Sequence, residues 1–298
     1  MEIFCFQKNA PEFPKILKDL PDAPKEIYLK GNLKLLNQPS FAIVGTRKCT
    51  FEGREIAKKF ARELSFAGLN IVSGLAFGID SAAHEGALEG KNGKTIAVLG
   101  SALNNITPHA QEKLAQKILD NNGLIISEYQ SGAPIFPSNF LRRNRIIAGL
   151  SLGVLIVEAP FGSGAIITAQ CAKKYNRPLF AIPGSITSKN YEATNDFIKR
   201  GMALLVAKPK DILDYLKEKS LFIQEDKNRS GNITINDKYI NDSIEEKIIR
   251  ILKEKPATID EIAKRLNTQI TKLLILITEM EISGQVKDIG NKRYIAVE

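Results

Sequence analysis

Three glycine-containing turns supply the residue types that could hold an anionic ligand in this sequence. The first is Gly45-Thr46-Arg47, which follows a run of apolar residues and precedes a long helical pattern. A helix N-terminus presents unpaired N–H groups and a partial positive charge. Glycine lets a ligand approach the backbone closely, and arginine adds a forked cation. We therefore expect this turn to bind a phosphate group.

The second turn spans residues 73–80 and contains Gly74, Phe77, Gly78 and, at its end, Asp80. It also joins an apolar run to a helical pattern. Turns of this kind meet at one edge of a parallel sheet, so the first two turns should share a ligand site. We expect Asp80 to be the N-cap of the following helix. The alternative is that Asp80 shapes the ligand pocket.

The third turn, Ser163-Gly164, follows Glu158 and opens another helical pattern. Ser163 lacks the flanking glycines of a GxSxG nucleophile motif. Its hydroxyl is therefore expected to contact a phosphate or to cap the helix. Lys173 and Lys174 lie two turns into that helix, where a solvated surface is the default interpretation.

One aromatic ring and three arginines are concentrated in a short stretch, which contains Phe140, Arg142, Arg143 and Arg145. We place the arginines at a helix N-terminus, where cations oppose the helix dipole, so a polyanion or a buried carboxylate is the expected partner. Rings that stack on bases, beside cations that pair with phosphates, are typical of single-stranded nucleic acid binding. The alternative is a core phenylalanine beside a solvated basic face.

Two carboxylates, Glu128 and Glu158, could act as acid or nucleophile in the hydrolysis of a nucleotide or its glycosidic bond. Each has a nearby arginine with which to pair, and Arg145 is a candidate partner for either. Neither has a second acid in the same turn. We therefore expect a protein that is not an enzyme, and a nucleotide-processing hydrolase is the alternative.

Motifs for nucleotide cofactors and metals are not supported. Residues 90–95 resemble part of a P-loop, but Leu88 replaces its first glycine and a strand follows where a helix is required. Arg47 occupies the place of the second glycine of GxGxxG. The two histidines, His84 and His109, and the three cysteines show no metal-ligand spacing. We expect no cofactor and no metal, with His84 packed in the interior.

The net charge of the 298-residue chain is +9, which suits a polyanionic partner. Residues 1–216 hold 27 Lys and Arg against 19 Asp and Glu, so they carry +8 of this charge. The N-terminus lacks the pattern of a signal peptide, and no apolar run approaches ~18 residues. These features predict a cytoplasmic protein with no membrane partner.

Apolar runs alternate with helical patterns from residue 41 onward. Continuously apolar runs such as Val154-Leu-Ile-Val are typical of a parallel sheet that is covered on both faces. The alternation predicts an α/β fold with a doubly wound parallel sheet. The candidate strands are 41–45, 69–73, 94–99, 123–127, 153–157, 178–182 and 203–206, and the candidate helices lie near 52–67, 80–90, 109–121, 140–150, 164–176, 193–201 and 209–219.

The ends of the chain follow other patterns. Five prolines in residues 1–40 argue against long helices, and residues 26–29 are a candidate edge strand. Residues 220–242 are predicted to be a polar linker between a domain at 1–219 and a small winged-helix domain at 243–298. That small domain should contain helices at 243–254, 258–266 and 268–283 and a hairpin at 285–289 and 292–297. Thr258 and Glu261 are spaced as a capping box.

Five motifs in this order resemble the DNA-processing protein A family, also called DprA or Smf. Any one of them is weak, but their order is specific, and the resemblance covers residues 11–216 with a winged helix beyond. The motifs are Gly45-Thr-Arg, residues 73–80, residues 143–151, Glu158-Ala with Ser163-Gly164 and Ile167-Thr-Ala169, and residues 180–184.

The resemblance implies an extended Rossmann fold and a recombination mediator. Members bind single-stranded DNA without cutting it, dimerise through the Rossmann domain, load the recombinase RecA and protect incoming DNA in natural transformation. It implies that Arg47 grips phosphate, that Phe140 stacks on a base, and that Lys173 or Lys174 contributes. The implied DNA contacts are Gly45, Thr46, Arg47, Gly74, Phe77, Gly78, Phe140, Arg142, Arg143, Ser163, Gly164, Lys173 and Lys174, and the implied structural residues are Asp80, Asn144, Arg145 and Glu158.

The sequence departs from the family pattern at three positions. Phe77 stands where arginine is common, Leu141 replaces a proline, and Ala193 replaces a glycine. The change at Phe77 removes a cation and adds a stacking surface, so the path of the DNA stays open. The third predicted helix of the winged-helix domain, 268–283, has the pattern of a core helix with an acidic end. We therefore expect this domain to bind duplex DNA weakly or to contact another protein. A transcription regulator that reads duplex DNA is the alternative.

Overall fold

The computed structural model describes residues 2–90, 93–219, 244–266, 268, 270–282, 285–290 and 293–297. The chain divides into two compact units, residues 1–227 and 228–298. The predicted linker at 220–242 lies outside the described residues, so the domain boundaries stay a prediction. Within the described ranges, no helix has the length and apolar character needed to cross a bilayer.

The first unit contains every strand and helix predicted for it, with ends shifted by a few residues. The strands are β1 (Ile3–Gln7), β2 (Glu26–Gly31), β3 (Ser40–Val44), β4 (Asn70–Ser73), β5 (Thr95–Leu99), β6 (Leu124–Ser127), β7 (Val154–Ile156), β8 (Leu179–Ala181) and β9 (Leu204–Leu205). The helices are α1 (Lys15–Lys18), α2 (Phe51–Phe66), α3 (Ile79–Leu88), α4 (Glu112–Asp120), α5 (Pro137–Gly149), α6 (Ala165–Lys174), α7 (Glu192–Lys199) and α8 (Pro209–Glu218).

The sheet has the order β1-β2-β6-β5-β4-β3-β7-β8-β9, and the strands from β6 to β9 in this order are parallel. This confirms the α/β fold with a doubly wound parallel sheet. The prediction that residues 26–29 form an edge strand was wrong. β2 pairs antiparallel with both β1 and β6, so β1 is the edge. β1 had no predicted counterpart because its short run is only half-buried.

The direction of the chain through the sheet reverses at β3. The chain passes from β3 outward through β4, β5 and β6, and then crosses back to β7 on the other side of β3. Loops at the carboxyl ends of β3 and β7 therefore diverge and leave a crevice between them. Open parallel sheets bind their ligands at such a switch point.

Each face of the sheet carries its own apolar core. Leu17, Ile146 and Ala169 belong to the core under α1, α5 and α6. Phe60 and Ala83 belong to the core under α2 and α3. All five are nearly or fully buried, which explains why the strands between them are apolar on both sides. These two layers hold the strand ends, and therefore the crevice, in place.

The second unit has the winged-helix architecture. Its helices are α9 (Ile244–Glu254), α10 (Ile259–Leu266) and α11 (Ile270–Ile282), and its strands are β10 (Ala257–Thr258), β11 (Val286–Asp288) and β12 (Arg293–Ala296). The strands form an antiparallel sheet in the order β10-β12-β11. The capping box is confirmed: Thr258 N–H donates to Glu261 Oε2 at 2.9 Å, and Glu261 N–H to Thr258 Oγ1 at 3.3 Å. β10 was not predicted, because two residues carry too little periodicity.

Candidate functional site

A cleft of about 380 Å³ opens at the switch point of the sheet. Four segments of the chain line it, and three of them are the glycine-containing turns. They are residues 44–48 after β3, Ala76 and Asp80 in the turn after β4, residues 140–147 of α5, and residues 163–168 at the start of α6. Four stretches far apart in the sequence therefore converge on one surface.

Most of the residues predicted to contact or shape the ligand lie in this cleft. Gly45, Thr46, Arg47, Asp80, Phe140, Arg143, Asn144, Ser163 and Gly164 line it. Gly74, Phe77 and Gly78 lie in the turn after β4, next to its wall, and Phe77 is 46% exposed. Arg142 is exposed on α5. Lys48 and Leu141 also line the cleft, although neither was predicted to contact ligand.

Arg47 and Phe140 lie beside each other in the cleft. The Cζ atom of Arg47 is 5.9 Å from the centroid of the Phe140 ring, within the range of a cation–π contact. The ring is half-buried and rests on Gly100, where a Cβ would come within 2.8 Å of ring atom Cδ1. Arg47 itself is exposed. The pair thus offers a cation and a partly open aromatic surface next to each other.

Glu158, which follows β7, accepts hydrogen bonds from the first turn and from the residue that precedes α2. Its carbonyl accepts the Thr46 N–H at 2.7 Å. Its carboxylate accepts from Thr50 N–H at 2.9 Å, from Thr50 Oγ1 at 2.5 Å and from Asn190 Nδ2 at 2.9 Å. Glu158 is fully buried, and Gly53 makes room for it, since a Cβ there would stand 2.4 Å from the carboxylate. The turn is therefore rigidly supported.

The expected pairing of Glu158 with an arginine was wrong. Its carboxylate lies at the N-terminus of α2, where backbone N–H and hydroxyl donors replace a cation. Glu128 does pair with arginine: Arg145 Nη2 donates to its Oε1 at 2.5 Å, and Arg142 Nη2 to the same oxygen at 3.3 Å. Arg145 is therefore the partner of Glu128 and not of Glu158.

The arginines of α5 do not lie at a helix N-terminus, contrary to the expectation. α5 begins at Pro137, so Arg142, Arg143 and Arg145 fall in its second and third turns. Their directions differ because helical neighbours point about 100° apart. Arg143 points into the protein, whereas the side chain of Arg142 is 64% exposed.

Arg143 forms the floor of the cleft. Its guanidinium donates to the carbonyls of Gly74 and Val98 and from Nε to Asn144 Oδ1 at 3.1 Å. A Cβ at Gly74 would stand 2.5 Å from Cζ of Arg143, so only glycine admits this side chain. Burial lowers the pKa of Arg143 to about 10, and Asp80 opposes that shift. A DNA contact by Arg143 stays a prediction, but these bonds already join α5 to the turn after β4 and to β5.

Asp80 is not the N-cap of α3, contrary to the first expectation. Gly78 takes the N-cap position with a φ of +79°, and a Cβ there would come within 2.4 Å of the Thr46 carbonyl oxygen. Asp80 is buried and accepts the Gly74 N–H at 3.1 Å. Burial raises the pKa of Asp80, and the nearby Arg143 opposes that shift. Asp80 thus shapes the pocket, as the alternative interpretation had it.

His84 is a packed residue of α3. Thr95 Oγ1 donates to the Ile71 carbonyl at 2.6 Å, so His84 Nδ1, 2.7 Å away, is the atom that donates to Thr95. Burial, and secondarily the charge of Arg143, lowers the pKa of His84 to about 3. The imidazole is therefore neutral at physiological pH.

The third turn is joined to α5. Asn144 Nδ2 donates to the Gly164 carbonyl at 3.0 Å, and Ser163 Oγ accepts the N–H of Ala165 at 3.3 Å. Lys173 and Lys174 are exposed but do not line the cleft. Lys174 pairs with Asp22 at 2.8 Å, so the structure does not bring it together with Arg47 and Phe140.

Asn190 is a residue of the site that sequence reasoning missed. Its Nδ2 donates to the Lys48 carbonyl at 3.1 Å as well as to Glu158. Asn190 precedes α7 and is 142 positions from Lys48, so no local pattern could have indicated the contact. Within the described part of the chain, no three His, Cys, Asp or Glu side chains gather in a way that could hold a metal ion.

Family models match both units. Residues 4–217 match the model for DNA recombination-mediator protein A, and residues 237–290 match the model for the DprA winged helix domain. Protein Smf of Escherichia coli is 42% identical over 205 residues, which are 69% of this chain and 54% of that protein. The matched region thus spans about half the length of this relative.

Two solved structures are similar to the chain. DNA processing protein DprA of Streptococcus pneumoniae is 43% identical over 201 residues, which are 67% of this chain and 70% of that protein. Its X-ray structure matches with a TM-score of 0.67 at 40% identity and covers 72% of this chain and 74% of its own. A structure of DNA processing protein A from Helicobacter pylori, described for its single-stranded DNA binding mode, matches with a TM-score of 0.65 at 34% identity. The match covers 74% of this chain and 97% of that one.

Proposed function

The chain belongs to the DNA recombination-mediator protein A family, and from that premise we propose that its first unit binds single-stranded DNA in the cleft. The observation that carries this proposal is the pairing of Arg47 with the Phe140 ring, 5.9 Å apart, at the switch point of the sheet. A cation for phosphate beside a ring for a base is the combination that single-strand binding needs. The single-stranded DNA binding described for the Helicobacter pylori relative supports the same proposal.

The chemistry proposed for the cleft is backbone capture with little reading of sequence. The Arg47 guanidinium holds a phosphate, and the N-terminus of α6 adds partial positive charge across the cleft. Phe140 stacks on the adjoining base. Because buried hydrogen bonds of Glu158 and Arg143 hold the turns after β3 and β4, the site needs little rearrangement when DNA binds.

We propose no catalytic step. Both oxygens of the Glu158 carboxylate accept hydrogen bonds inside the protein, and Glu128 accepts from two arginines. Both carboxylates are thus engaged inside the protein and are not presented to a substrate, as an acid or nucleophile must be. Incubation with nucleoside monophosphates, followed by chromatography for released base, tests this. Turnover that Glu158→Gln abolishes would instead support a hydrolase.

The wider role that we propose is delivery of bound strands to RecA, with protection of incoming DNA during natural transformation. A homodimer would lengthen the DNA track, and we propose a cytoplasmic location because the proposed partners, DNA and RecA, are found there. Light scattering tests the dimer. RecA filament assembly on strands coated with single-strand-binding protein, with and without this chain, tests the loading, and an unchanged lag would contradict it.

The central test is fluorescence anisotropy of labelled single-stranded and duplex oligonucleotides over a series of salt concentrations. Arg47→Ala should weaken single-strand binding and make the salt slope shallower by about 0.7, the contribution of one phosphate contact. Phe140→Leu keeps an apolar side chain but removes the ring, and should cost ~1–3 kcal/mol of binding free energy.

A matched control separates a specific contact from net charge. Arg62→Ala removes one positive charge from α2, where Arg62 pairs with Glu89 away from the cleft, and should leave the slope unchanged. Equal effects of Arg47→Ala and Arg62→Ala would mean that the basic surface acts only as a diffuse electrostatic patch.

A further inference from the structure

Beyond the cleft, three large apolar side chains are exposed in the segments that follow β3, β7 and β8. Phe161 is 63% exposed, Phe51 is 81% exposed and Ile186 is 94% exposed. They follow β7, β3 and β8, so all three lie at the carboxyl edge of the sheet that also bears the cleft. Large apolar groups gathered at such an edge mark a contact surface.

The loop geometry holds Phe161 outward. Ser163 N–H donates to the Pro160 carbonyl at 3.0 Å, and Gly162 has a φ of +84°. This is the pattern of a type II turn with Phe161 at its first corner. The same turn leads directly into Ser163 and Gly164 of the cleft wall. A ring at the corner of a short, closed turn is presented at little conformational cost.

Phe51 follows a residue that is bonded to Glu158, two positions before that turn. It is the first residue of α2, directly after Thr50, which donates twice to Glu158. Asn190 joins the Lys48 carbonyl to the Glu158 carboxylate. The loops after β3 and β7 and the segment before α7 are thereby tied together around one buried carboxylate.

Exposed cations lie among these rings. Lys48 precedes Phe51 by three residues and lines the cleft, and Lys189 is the neighbour of Asn190. We call Lys48, Phe51, Phe161, Ile186 and Lys189 the β7 rim. The β7 rim thus has exposed rings and exposed lysines on loops that adjoin the cleft. Glu52 and Glu192 stand beside the same loops, and the Phe161 N–H donates to Glu192 Oε2 at 3.4 Å, so charge does not choose the occupant. The exposed rings and their continuity with the cleft point to a nucleic acid strand.

We propose that the DNA track continues from the cleft across the β7 rim, where Phe161 and Phe51 stack on further bases and Lys48 and Lys189 hold phosphates. This inference rests on the proposed function of the cleft. Neighbouring strands lie ~4.8 Å apart, so β4 to β8 spans about 14 Å. That width accommodates a strand longer than the one that Arg47 and Phe140 can contact.

The test compares a short oligothymidylate of about 4 nucleotides, which fills the cleft, with one of about 12, which also reaches the rim. Phe161→Ala combined with Phe51→Ala should raise the Kd for the long strand about tenfold and leave the Kd for the short strand unchanged. Phe66→Ala is the matched control, because Phe66 is 59% exposed at the other end of α2, about 22 Å from Phe51. It should change neither Kd.

A spectroscopic measurement adds direct evidence of stacking. The chain contains no tryptophan, so Phe161→Trp introduces a single reporter. Its fluorescence should be quenched by the long strand and not by the short one, whereas Phe66→Trp should respond to neither. This measurement does not depend on a loss of affinity.

The outcomes separate the inference from the proposed function. If Arg47→Ala weakens binding of both strands while the rim variant binds both like the wild type, the rim inference is overturned and the cleft proposal stands. If Arg47→Ala changes nothing, both fail. If the rim variant leaves both Kd values unchanged but alters the oligomeric state in light scattering, the rim is an interface between copies of the chain, and the inference is likewise overturned.

Discussion

The cleft of the first unit and the basic groove of the second unit carry positive charge in different ways. In the cleft, Arg47 lies beside an aromatic ring on loops that buried polar groups hold in place. The groove of the winged-helix unit, about 290 Å³, is lined by Lys255, Ala257, Glu261, Lys264 and Arg265. None of these five is aromatic, and one is an acid. A basic surface alone attracts any polyanion, whereas a ring beside a cation selects unpaired bases.

The acid in the groove has a structural task. Glu261 caps α10, and the hydrogen bond from the Thr258 N–H lowers the pKa of Glu261, with smaller effects from Arg293, Lys255 and Arg265. In α11, Leu273, Ile277 and Met280 are buried in the small core. This supports the interpretation of α11 as a core helix. Of the two regions, the cleft is therefore the one that we propose to bind single strands.

The largest effect on stability is expected from Arg143→Leu, which would remove the buried hydrogen bonds beneath the cleft. The Gly74 and Val98 carbonyls would lose their buried donor, at roughly 1–3 kcal/mol for each unsatisfied group. We expect the free energy of unfolding of the first unit to fall by about 3 kcal/mol in urea titration. Arg142→Leu is the matched control and should cost under about 1 kcal/mol, because that side chain is largely exposed. Equal losses would show that Arg143 does not support the cleft.

The next effect is a pH dependence confined to the first unit, which contains both histidines. The pKa of folded His84 is about 3, below the ordinary value of ~6.5, so the unfolded chain binds the proton more tightly. Stability is full above pH ~6.5 and should fall by about 2 kcal/mol between pH 6.5 and pH 5. Urea titrations at both pH values measure it.

Substitution of each histidine assigns this loss. His84→Gln should flatten the pH dependence, and His109→Gln, at an exposed site, should not. The unfolding of the winged-helix unit should be the same at both pH values, since residues 228–298 contain no histidine. A loss of stability that persists in His84→Gln would assign the effect to other groups.

The smallest effect is expected from removing the winged-helix unit. A chain that ends at Leu216 retains the cleft and should bind a short single strand within about twofold of the full chain, about 0.4 kcal/mol. Anisotropy with single-stranded and duplex probes would measure this. Loss of single-strand binding in the truncated chain would show that the second unit, and not the cleft, is the principal DNA-binding region.

The sequence was sufficient for the alternating strands and helices from β3 to α8 and for most of the cleft, but not for β1 or β10. Parallel strands that are apolar on both faces, each ending in a glycine turn, predict where ligand-binding loops converge, and Arg47 and Phe140 do meet there. The other errors concern the roles and hydrogen-bond partners of predicted site residues and the ends of predicted helices. Asp80 was placed as a cap because a cap is the common role of that residue type at a helix start. The start of α5 was placed late although Pro137, at its first position, is a helix start signal.

Strand and helix periodicity and the glycine positions are properties of neighbouring residues, so the sequence by itself determined the fold class and where the candidate site lies. Only the tertiary structure decided that Arg143 turns inward onto Gly74, 69 positions away, and that Glu158 is held by Thr50 and Asn190 instead of an arginine. The physical reason is that a buried polar group takes whichever donors or acceptors packing brings within reach. Those partners come from distant parts of the chain, where local sequence patterns hold no information.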